Sequence, residues 1–267
     1  GLRERYAMIR QKIADVARET GASLIDLREP FRHRLDLLFD GLHPNAEGAR
    51  LLAATIGGAL TGRHGGLRMP AMYTDHMVLQ RDRPIKIEGT ADAGETVTVR
   101  IADRTHSAQA AADGRWLVTL DTMPAATGLT LEVATLKRKL RFDDVAVGDV
   151  WFCSGQSNMA YPTDSVVPAE RAVLRAFAKT LPAVRLFLMQ PSRIPFAEEW
   201  EAPMLDSLNR LEYFLPARWE QCDESTVGHF SAIAMAFAKR IQETENVPIG
   251  LILNAVDGSP LEAWIDR

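Results

Sequence analysis

The fold assignment depends most on Val150-Trp151-Phe152-Cys153-Ser154-Gly155-Gln156-Ser157-Asn158-Met159. A mostly apolar run, residues 145–153, stops abruptly at Ser154 and Gly155. A run bounded in this way predicts a buried strand that ends in a sharp turn. A hydroxyl on such a turn, with a helix expected to follow, can be exposed and surrounded by backbone N–H groups. That is the general geometry of a serine nucleophile, and Ser157 is the candidate. The alternative is that Ser157 only caps the helix that follows.

Residues 154–159 resemble the first signature block of the SGNH (GDSL-like) hydrolases, and more narrowly that of the sialate O-acetylesterase group of carbohydrate esterases. In that group the strand ends in a Ser-Gly-Gln-Ser-Asn-Met sequence, and the second serine is the nucleophile. The resemblance therefore implies that Ser157 attacks the ester. It also places the neighbouring Gln156 and Asn158 at the substrate-binding surface.

A second stretch, residues 254–264, resembles the family sequence written Gly-Gly-Thr-x-Ile-Glu-x-Trp. The resemblance puts Gly258 at the glycine whose N–H helps to form the oxyanion hole, and Ser259 at the threonine. A backbone N–H at glycine can stabilise an oxyanion without a side chain that blocks approach. Asp257 stands where the family has its first glycine, and a carboxylate there can weaken or retune the hole. The alternative is that Asp257 and Gly258 form only a turn.

The sequence Asp40-Gly41-Leu42-His43 matches the Asp-x-x-His element found near the C-terminus of SGNH hydrolases. In the family the histidine is the general base and the aspartate orients its ring, so the resemblance assigns these roles to His43 and Asp40. Here the element precedes Ser157, whereas in the family the serine block comes first. The alternative is a loop histidine beside an unrelated aspartate. The family's third block, a Gly-x-Asn-Asp-like element, is not recognisable in the sequence.

Two interpretations account for this order. In the one we adopt, the chain is a piece of a longer protein with tandem modules, and the second module's own Asp and His lie beyond Arg267. Residues 1–62 are then the C-terminal part of one SGNH module, residues 63–67 a linker, residues 68–144 a β-sandwich domain and residues 145–267 the N-terminal part of a sialate O-acetylesterase-like domain. In the other interpretation, a circular permutation joins Asp40 and His43 to Ser157 in one site.

Hydrophobic periodicity predicts the elements of these segments. Helices are predicted over residues 2–20 and 46–56, and a short strand over residues 23–27. Short alternating runs in residues 68–144, broken by Asp-Gly and Gly turns, predict a small antiparallel β-sandwich. Beyond it, strands alternate with helices, which predicts an α/β fold with part of a three-layer α/β/α parallel sheet. In such sheets ligands bind at the carboxyl ends of the strands, where Ser157 and the turn after Leu253 both lie.

Composition excludes several functional classes. Hydrophobic residues make up 46% of the chain and charged residues 25%, as in folded globular proteins. The net charge of −4 gives no electrostatic reason to bind nucleic acid or an anionic membrane. No apolar run approaches the roughly 20 residues of a membrane span. Cys153 and Cys222 have no metal-binding spacing, and we expect neither a metal nor an organic cofactor.

The expected function is that of a serine-dependent carbohydrate O-acetylesterase, with an acetylated carbohydrate as substrate. The alternatives are a non-catalytic carbohydrate-binding or structural protein and a lipid-directed GDSL esterase. Aromatic residues between residues 190 and 221 can stack on a sugar ring or simply anchor a loop; they are Trp200, Tyr213 and Trp219. No signal peptide is recognisable in this chain. The family resemblance is compatible with a periplasmic or extracellular location, and the oligomeric state is not predicted.

Overall fold

The structure is a computed structural model, and it describes residues 2–32, 34–180, 183–192, 207 and 212–260. The chain divides into two compact units, called unit 1 (Gly1–Thr61) and unit 2 (Gly62–Arg267). None of the helices in the described ranges combines the length and the apolar character needed to cross a bilayer.

The regular elements described in unit 1 are all helical. They are α1 (Leu2–Thr20), α2 (Arg28–Phe31), a 3-10 helix (Leu35–Leu37) and α3 (Ala46–Thr61). Asn45 caps α3, because its Oδ1 accepts the N–H of Gly48 at 2.9 Å. Gly48 in turn lets α3 approach the 3-10 helix, since a Cβ at this position would come within 2.3 Å of the Leu37 carbonyl oxygen. The two helices that the periodicity predicts in this unit are confirmed.

The prediction of a strand over residues 23–27 is wrong, because these residues form no strand. A strand is stable only when neighbouring strands satisfy its backbone N–H and C=O groups. The described part of unit 1 contains no strand with which this segment can pair. The apolar face of α1 is also exposed, with Ile9 at 53% and Ile13 at 51%. Periodicity thus predicts an element but not the surface that covers it.

Unit 2 begins with two antiparallel sheets that share one core. Its first strands are β1 (Val78–Gln80), β2 (Ile85–Thr90), β3 (Thr96–Ile101), β4 (Arg104–Gln109), β5 (Arg115–Leu120), β6 (Ala126–Ala134) and β7 (Lys139–Gly155). Strands β2 and β5 form a two-stranded sheet, and β4, β3, β6 and the first part of β7 form the other. Alternate residues of β5 are buried, among them Trp116 and Val118, and they pack with Val99 and Val133 of the facing sheet. Burial on every second residue is the pattern that the sequence predicts for these strands.

The second half of unit 2 is an α/β arrangement around a parallel sheet. Its elements are α4 (Ser157–Ala160), α5 (Pro168–Thr180), β8 (Val184–Leu188), β9 (Trp219–Gln221), α6 (Ala232–Glu245) and β10 (Ile249–Ala255). Strand β10 lies between β7 and β8 and is parallel to both, while the short β9 adds to β8 in the antiparallel sense. The predicted α/β class, with a mainly parallel central sheet and a small antiparallel sheet, is confirmed.

The parallel sheet is buried on both faces. One face, with Leu186 and Leu251, packs with Leu174 of α5 and Met235 of α6. The other face contributes Phe187, Trp219 and Ile252 to the core of the β region. Strand β10 is therefore buried at nearly every position, which explains its almost continuous apolar sequence.

Strand β7 joins the two halves without a break. Residues 139–147 pair with β6, and residues 149–155 pair with β10. The boundary predicted between residues 144 and 145 therefore falls inside one strand, and the division into a β-sandwich and an SGNH-like part stays a prediction.

Asp144 lies at this junction and adopts a φ of +52°. Its Oδ2 accepts hydrogen bonds from Arg185 Nη2 at 2.9 Å and Gln221 Nε2 at 2.8 Å, and it lies 2.8 Å from His76 Nδ1. One carboxylate thus connects β7 with β8, β9 and the segment before β1. Burial alone would raise the pKa of Asp144, but the bonds from His76 and Gln221 and the charge of Arg185 hold that pKa below its usual value.

Candidate active site

Ser157 stands on a sharp turn between a strand and a helix. Strand β7 ends at Gly155, which has a φ of +146°. L-residues rarely adopt that conformation, so the glycine allows the chain to change direction abruptly. Ser157 is the first residue of α4 and is exposed, as are its neighbours Gln156 and Asn158. The turn therefore presents the serine side chain at the carboxyl end of β7.

The hydroxyl of Ser157 does not cap the helix. The N-cap position belongs to Gln156, and no side chain makes a cap hydrogen bond there. The N–H of Ala160 closes the short helix by donating to the Gln156 carbonyl oxygen at 2.9 Å. Among the described residues the Ser157 Oγ has no hydrogen-bond partner. The hydroxyl is thus free to meet a ligand.

The turn after β10 lies beside the serine turn, because the two strands are parallel neighbours. Ala255 pairs with Gly155 in register, and the N–H of Val256 donates to the Gly155 carbonyl oxygen at 3.0 Å. Gly258 follows at a φ of +69° and is exposed. The two strand ends therefore bring Ser157 and Gly258 to the same edge of the sheet.

Ser259 closes its own turn. Its Oγ donates to the Val256 carbonyl oxygen at 2.8 Å, and its N–H donates to the same oxygen at 3.2 Å. The Ser259 hydroxyl is thus bonded within its own turn, and its contact with a substrate stays a prediction. Asp257 is exposed in the same turn, next to Gly258. The remainder of the predicted motif, residues 261–264, lies outside the described residues.

The buried thiol next to the serine turn is a poor nucleophile. Cys153 lies in β7 and is 7% exposed. Burial raises the pKa of the Cys153 thiol, so that the reactive thiolate is disfavoured. In this stretch the side chains of Ser154 and Ser157 are both exposed; Ser154 lies within β7, whereas Ser157 stands on the turn that follows the strand.

The predicted pair of a general base, His43, and its orienting carboxylate, Asp40, is assembled, but in unit 1. Asp40 Oδ2 lies 2.6 Å from His43 Nδ1, and Asp40 Oδ1 accepts the N–H groups of His43 at 2.7 Å and Leu42 at 2.9 Å. These bonds, first the backbone one from His43 and then the one to its ring, lower the pKa of Asp40. The ring also stacks on Phe39 at a centroid distance of 5.7 Å.

The structure therefore brings the predicted site residues together as two groups. Asp40 and His43 form one group in unit 1, and Ser157 and Gly258 form the other in unit 2. With Nδ1 directed at Asp40, the remaining ring nitrogen of His43, Nε2, is the one available to a substrate or a serine. Within the described residues, no cluster of three or more His, Cys, Asp or Glu side chains is arranged to hold a metal ion.

The aromatic candidates differ in accessibility. Trp219 is 3% exposed, and its Nε1 donates to the Met72 carbonyl oxygen at 3.1 Å, so that it anchors β9 and cannot stack on a sugar. Tyr213 is 44% exposed, and Trp200 lies outside the described residues. Tyr161, which belongs to none of the sequence motifs, is 49% exposed beside the serine turn. Its spacing of one helical turn from Ser157 was the available signal.

Comparison with known proteins gives a consistent relationship. The sialate O-acetylesterase of Pongo abelii is 31% identical to this chain over 216 residues, an alignment that covers 74% of this chain and 39% of that protein. The human sialate O-acetylesterase gives the same identity and the same coverage. The predicted relationship to the sialate O-acetylesterases is confirmed. No protein-family model matches the chain.

A solved structure agrees with the sialate O-acetylesterase relationship. The crystal structure of a carbohydrate acetylesterase from Xanthomonas citri superposes with a TM-score of 0.62 at 27% identity, covering 74% of this chain and 42% of that chain. The chain spans about two fifths of the length of the sialate O-acetylesterases that it matches. The activity of a whole sialate O-acetylesterase therefore does not transfer to it by similarity alone.

Proposed function

We propose that the chain belongs to a serine-dependent carbohydrate O-acetylesterase that hydrolyses acetyl esters on sugars. The observation that carries this proposal is the serine turn, where an exposed Ser157, whose hydroxyl has no partner among the described residues, follows β7. The parallel neighbour of that strand, β10, ends at Ala255, three residues before Gly258. The relationship to the sialate O-acetylesterases and to a carbohydrate acetylesterase supports the same reaction. The substrate would be an acetylated carbohydrate.

In the proposed reaction, Ser157 Oγ attacks the acetyl carbonyl carbon while a histidine takes the hydroxyl proton. The tetrahedral intermediate collapses, the bond to the sugar oxygen breaks, and the histidine returns the proton to that oxygen. Water, deprotonated by the same histidine, then attacks the acetyl-serine. Acetate leaves, and Ser157 regains its proton. Neither a metal nor an organic cofactor is needed in this sequence of steps.

The N–H groups of Ser157 and Gly258 would stabilise the oxyanion. Both belong to turns at the same edge of the sheet, where the negative charge of the intermediate develops. Loss of one such donor lowers kcat by roughly 10²–10³-fold in serine hydrolases. The neighbouring Asp257 carboxylate is exposed, so that solvent reduces its repulsion of the oxyanion without removing it.

The Asp40–His43 pair has the form of a general base, because the carboxylate holds the ring through Nδ1 and the other ring nitrogen has no partner among the described residues. We propose that it serves a serine of the tandem module to which residues 1–62 belong, while residues 68–144 and 145–267 form the β-sandwich and the front of the sialate O-acetylesterase-like domain. The permuted arrangement, in which His43 deprotonates Ser157, is the alternative.

Acetate release from an O-acetylated methyl glycoside tests the proposal. In the whole protein to which the chain belongs, with the serine of the other module silenced, we expect hydrolysis that falls by several orders of magnitude in Ser157→Ala, since the nucleophile is lost. An unchanged rate in that variant would remove Ser157 from the mechanism.

The variant His43→Ala separates the two arrangements of the base. If the permuted arrangement holds, His43→Ala abolishes the Ser157-dependent rate. If the tandem arrangement holds, that rate is unaffected. His106→Ala, which removes a partly exposed histidine of β4 outside both groups, is the matched control.

A further inference from the structure

Tyr161 is an exposed aromatic residue whose ring is held in place. It follows α4 directly, and 49% of its surface is exposed. Its hydroxyl donates to the Ser165 carbonyl oxygen at 2.9 Å. Its own carbonyl oxygen accepts the N–H of Ala232, the first residue of α6, also at 2.9 Å. The side chain is thus fixed at its tip and at its backbone, and little conformational freedom remains to be lost on binding.

Tyr161 lies one helical turn from the nucleophile. Ser157 begins α4, and Tyr161 is four residues later with a φ of −61°, so that its Cβ still continues the helical path. Residues at i and i+4 of a helix lie on the same face, with Cβ atoms about 5–6 Å apart. The tyrosine ring therefore starts on the face of the helix that carries the serine hydroxyl.

This separation matches the shape of a sugar ester. In a pyranose acetylated on a ring hydroxyl or on its hydroxymethyl group, one ester oxygen and at most one further carbon separate the acetyl carbonyl from the ring, a distance of roughly 2.5–4 Å at ordinary bond lengths. When the carbonyl carbon reaches Ser157, the pyranose ring therefore lies at about the distance of Tyr161. The C–H faces of pyranoses are apolar and flat, and an exposed aromatic ring is the side chain that fits them.

The other exposed aromatic residues in the described part of unit 2 do not share this position. Phe152 is 61% exposed, but it lies within β7 and before the serine turn. Trp151 is 41% exposed but packs edge-on against Phe237 at a centroid distance of 4.9 Å. It also lies back along β7, where each residue adds about 3.3 Å of distance from the serine turn. Tyr213 is exposed on a different segment.

We propose that Tyr161 is a specificity-determining residue that stacks against the pyranose ring of the substrate. The inference rests on the proposed function, since the ring is placed by an ester that reaches Ser157. It adds that the site selects for the sugar as well as for the acetyl group. Esters without a ring, such as ethyl acetate, gain nothing from this contact.

Saturation-transfer NMR with the full chain tests the proposal without turnover, using methyl glucoside, methyl xyloside and the methyl glycoside of N-acetylneuraminic acid as probes. We expect at least one of them to bind. We expect Tyr161→Leu to weaken its affinity about tenfold, which corresponds to about 1.4 kcal/mol. Tyr161→Phe, which keeps the ring and loses the bond to Ser165, should retain most of the affinity. Tyr213→Leu should bind as the wild type does.

The inference is overturned if the wild type binds none of the probes, if Tyr161→Leu binds them as the wild type does, or if the loss follows Tyr213→Leu instead. Labelling of Ser157 by a fluorophosphonate, in the whole protein to which the chain belongs, distinguishes this failure from failure of the esterase proposal. Labelling in Tyr161→Leu with sugar binding unchanged leaves the esterase and removes the stacking role. Sugar binding that depends on Tyr161, with Ser157 unlabelled, removes the esterase and leaves a sugar site.

Discussion

Replacing Gly155 by alanine tests whether the serine turn depends on its unusual backbone. Gly155 has a φ of +146°, a region that residues with a Cβ rarely adopt. The added Cβ would lie 3.4 Å from the Cβ of Met159, which is a tight but tolerable contact. The cost therefore comes from the backbone, and residues held in such regions cost about 1–3 kcal/mol.

The protein has two ways to respond to that strain. It can keep the turn and lose about 1–3 kcal/mol of unfolding free energy, or relax the turn and move Ser157. A displacement of about 1 Å at a reacting group lowers rates by roughly 10²-fold. We therefore expect Gly155→Ala to slow fluorophosphonate labelling of Ser157 by at least tenfold. The loss of unfolding free energy should be smaller than the loss of about 1–3 kcal/mol expected if the turn kept its conformation.

The matched control is Gly128→Ala in β6. Gly128 has a φ of +67°, and a Cβ there would meet nothing within 4 Å. Alanine in this left-handed region costs about 1–2 kcal/mol, and the site is remote in sequence from the serine turn. We expect lower stability in urea unfolding but labelling at the wild-type rate. Gly155→Ala with both wild-type labelling and wild-type stability would refute the account of the turn.

Three further predictions concern the junction, the core and the oxyanion turn. Asp144→Asn should cost about 2–3 kcal/mol in urea unfolding, because Arg185, whose side chain is 4% exposed, loses this carboxylate. Because the pKa of Asp144 is lowered in the folded protein, its contribution to the unfolding free energy is present above the usual pKa of 3.8 and is lost as the pH falls through the lowered pKa. If the variant and the wild type lost the same amount of stability on acidification, this reasoning would be contradicted. Trp116→Phe should change the unfolding free energy by no more than about 1 kcal/mol, because the buried Trp116 Nε1 has no partner among the described residues and its removal offsets the lost volume; calorimetry showing a loss as large as that of Trp116→Ala would contradict it. Asp257→Gly should raise the rate of ester hydrolysis several-fold, because it removes a negative charge beside the oxyanion; a slower Asp257→Gly would show that the carboxylate assists the reaction.

Local sequence patterns predicted most of the fold of unit 2. Alternation in β5 and the nearly unbroken apolar run of β10 each reflect how many faces of the strand are buried, and that number can be read from a single segment. The pattern failed at residues 23–27, since an extended segment becomes a strand only beside a partner. The continuity of β7 across Asp144 was missed for a related reason: sheet membership depends on residues that pair from elsewhere in the chain.

The candidate site and the contacts of Asp144 show the same difference between what a short segment of sequence can predict and what it cannot. Ser157 and Gly258 could be proposed from the sequence because each belongs to a short contiguous motif at a strand end, and their roles stay predictions. The contacts of Asp144 could not, because His76, Arg185 and Gln221 are far from it and from one another in sequence. Trp219 was a candidate for stacking on a sugar ring because it is aromatic. Its burial in the structure shows that it is a core residue.

The most direct test of the central claim is to map the residue modified by a fluorophosphonate, using mass spectrometry of the digested protein. In the whole protein to which the chain belongs, we expect an adduct on the peptide that contains Ser157, absent after denaturation and absent in Ser157→Ala. An adduct on another serine, or none on Ser157 in the folded protein, would contradict the claim that this turn carries the nucleophile.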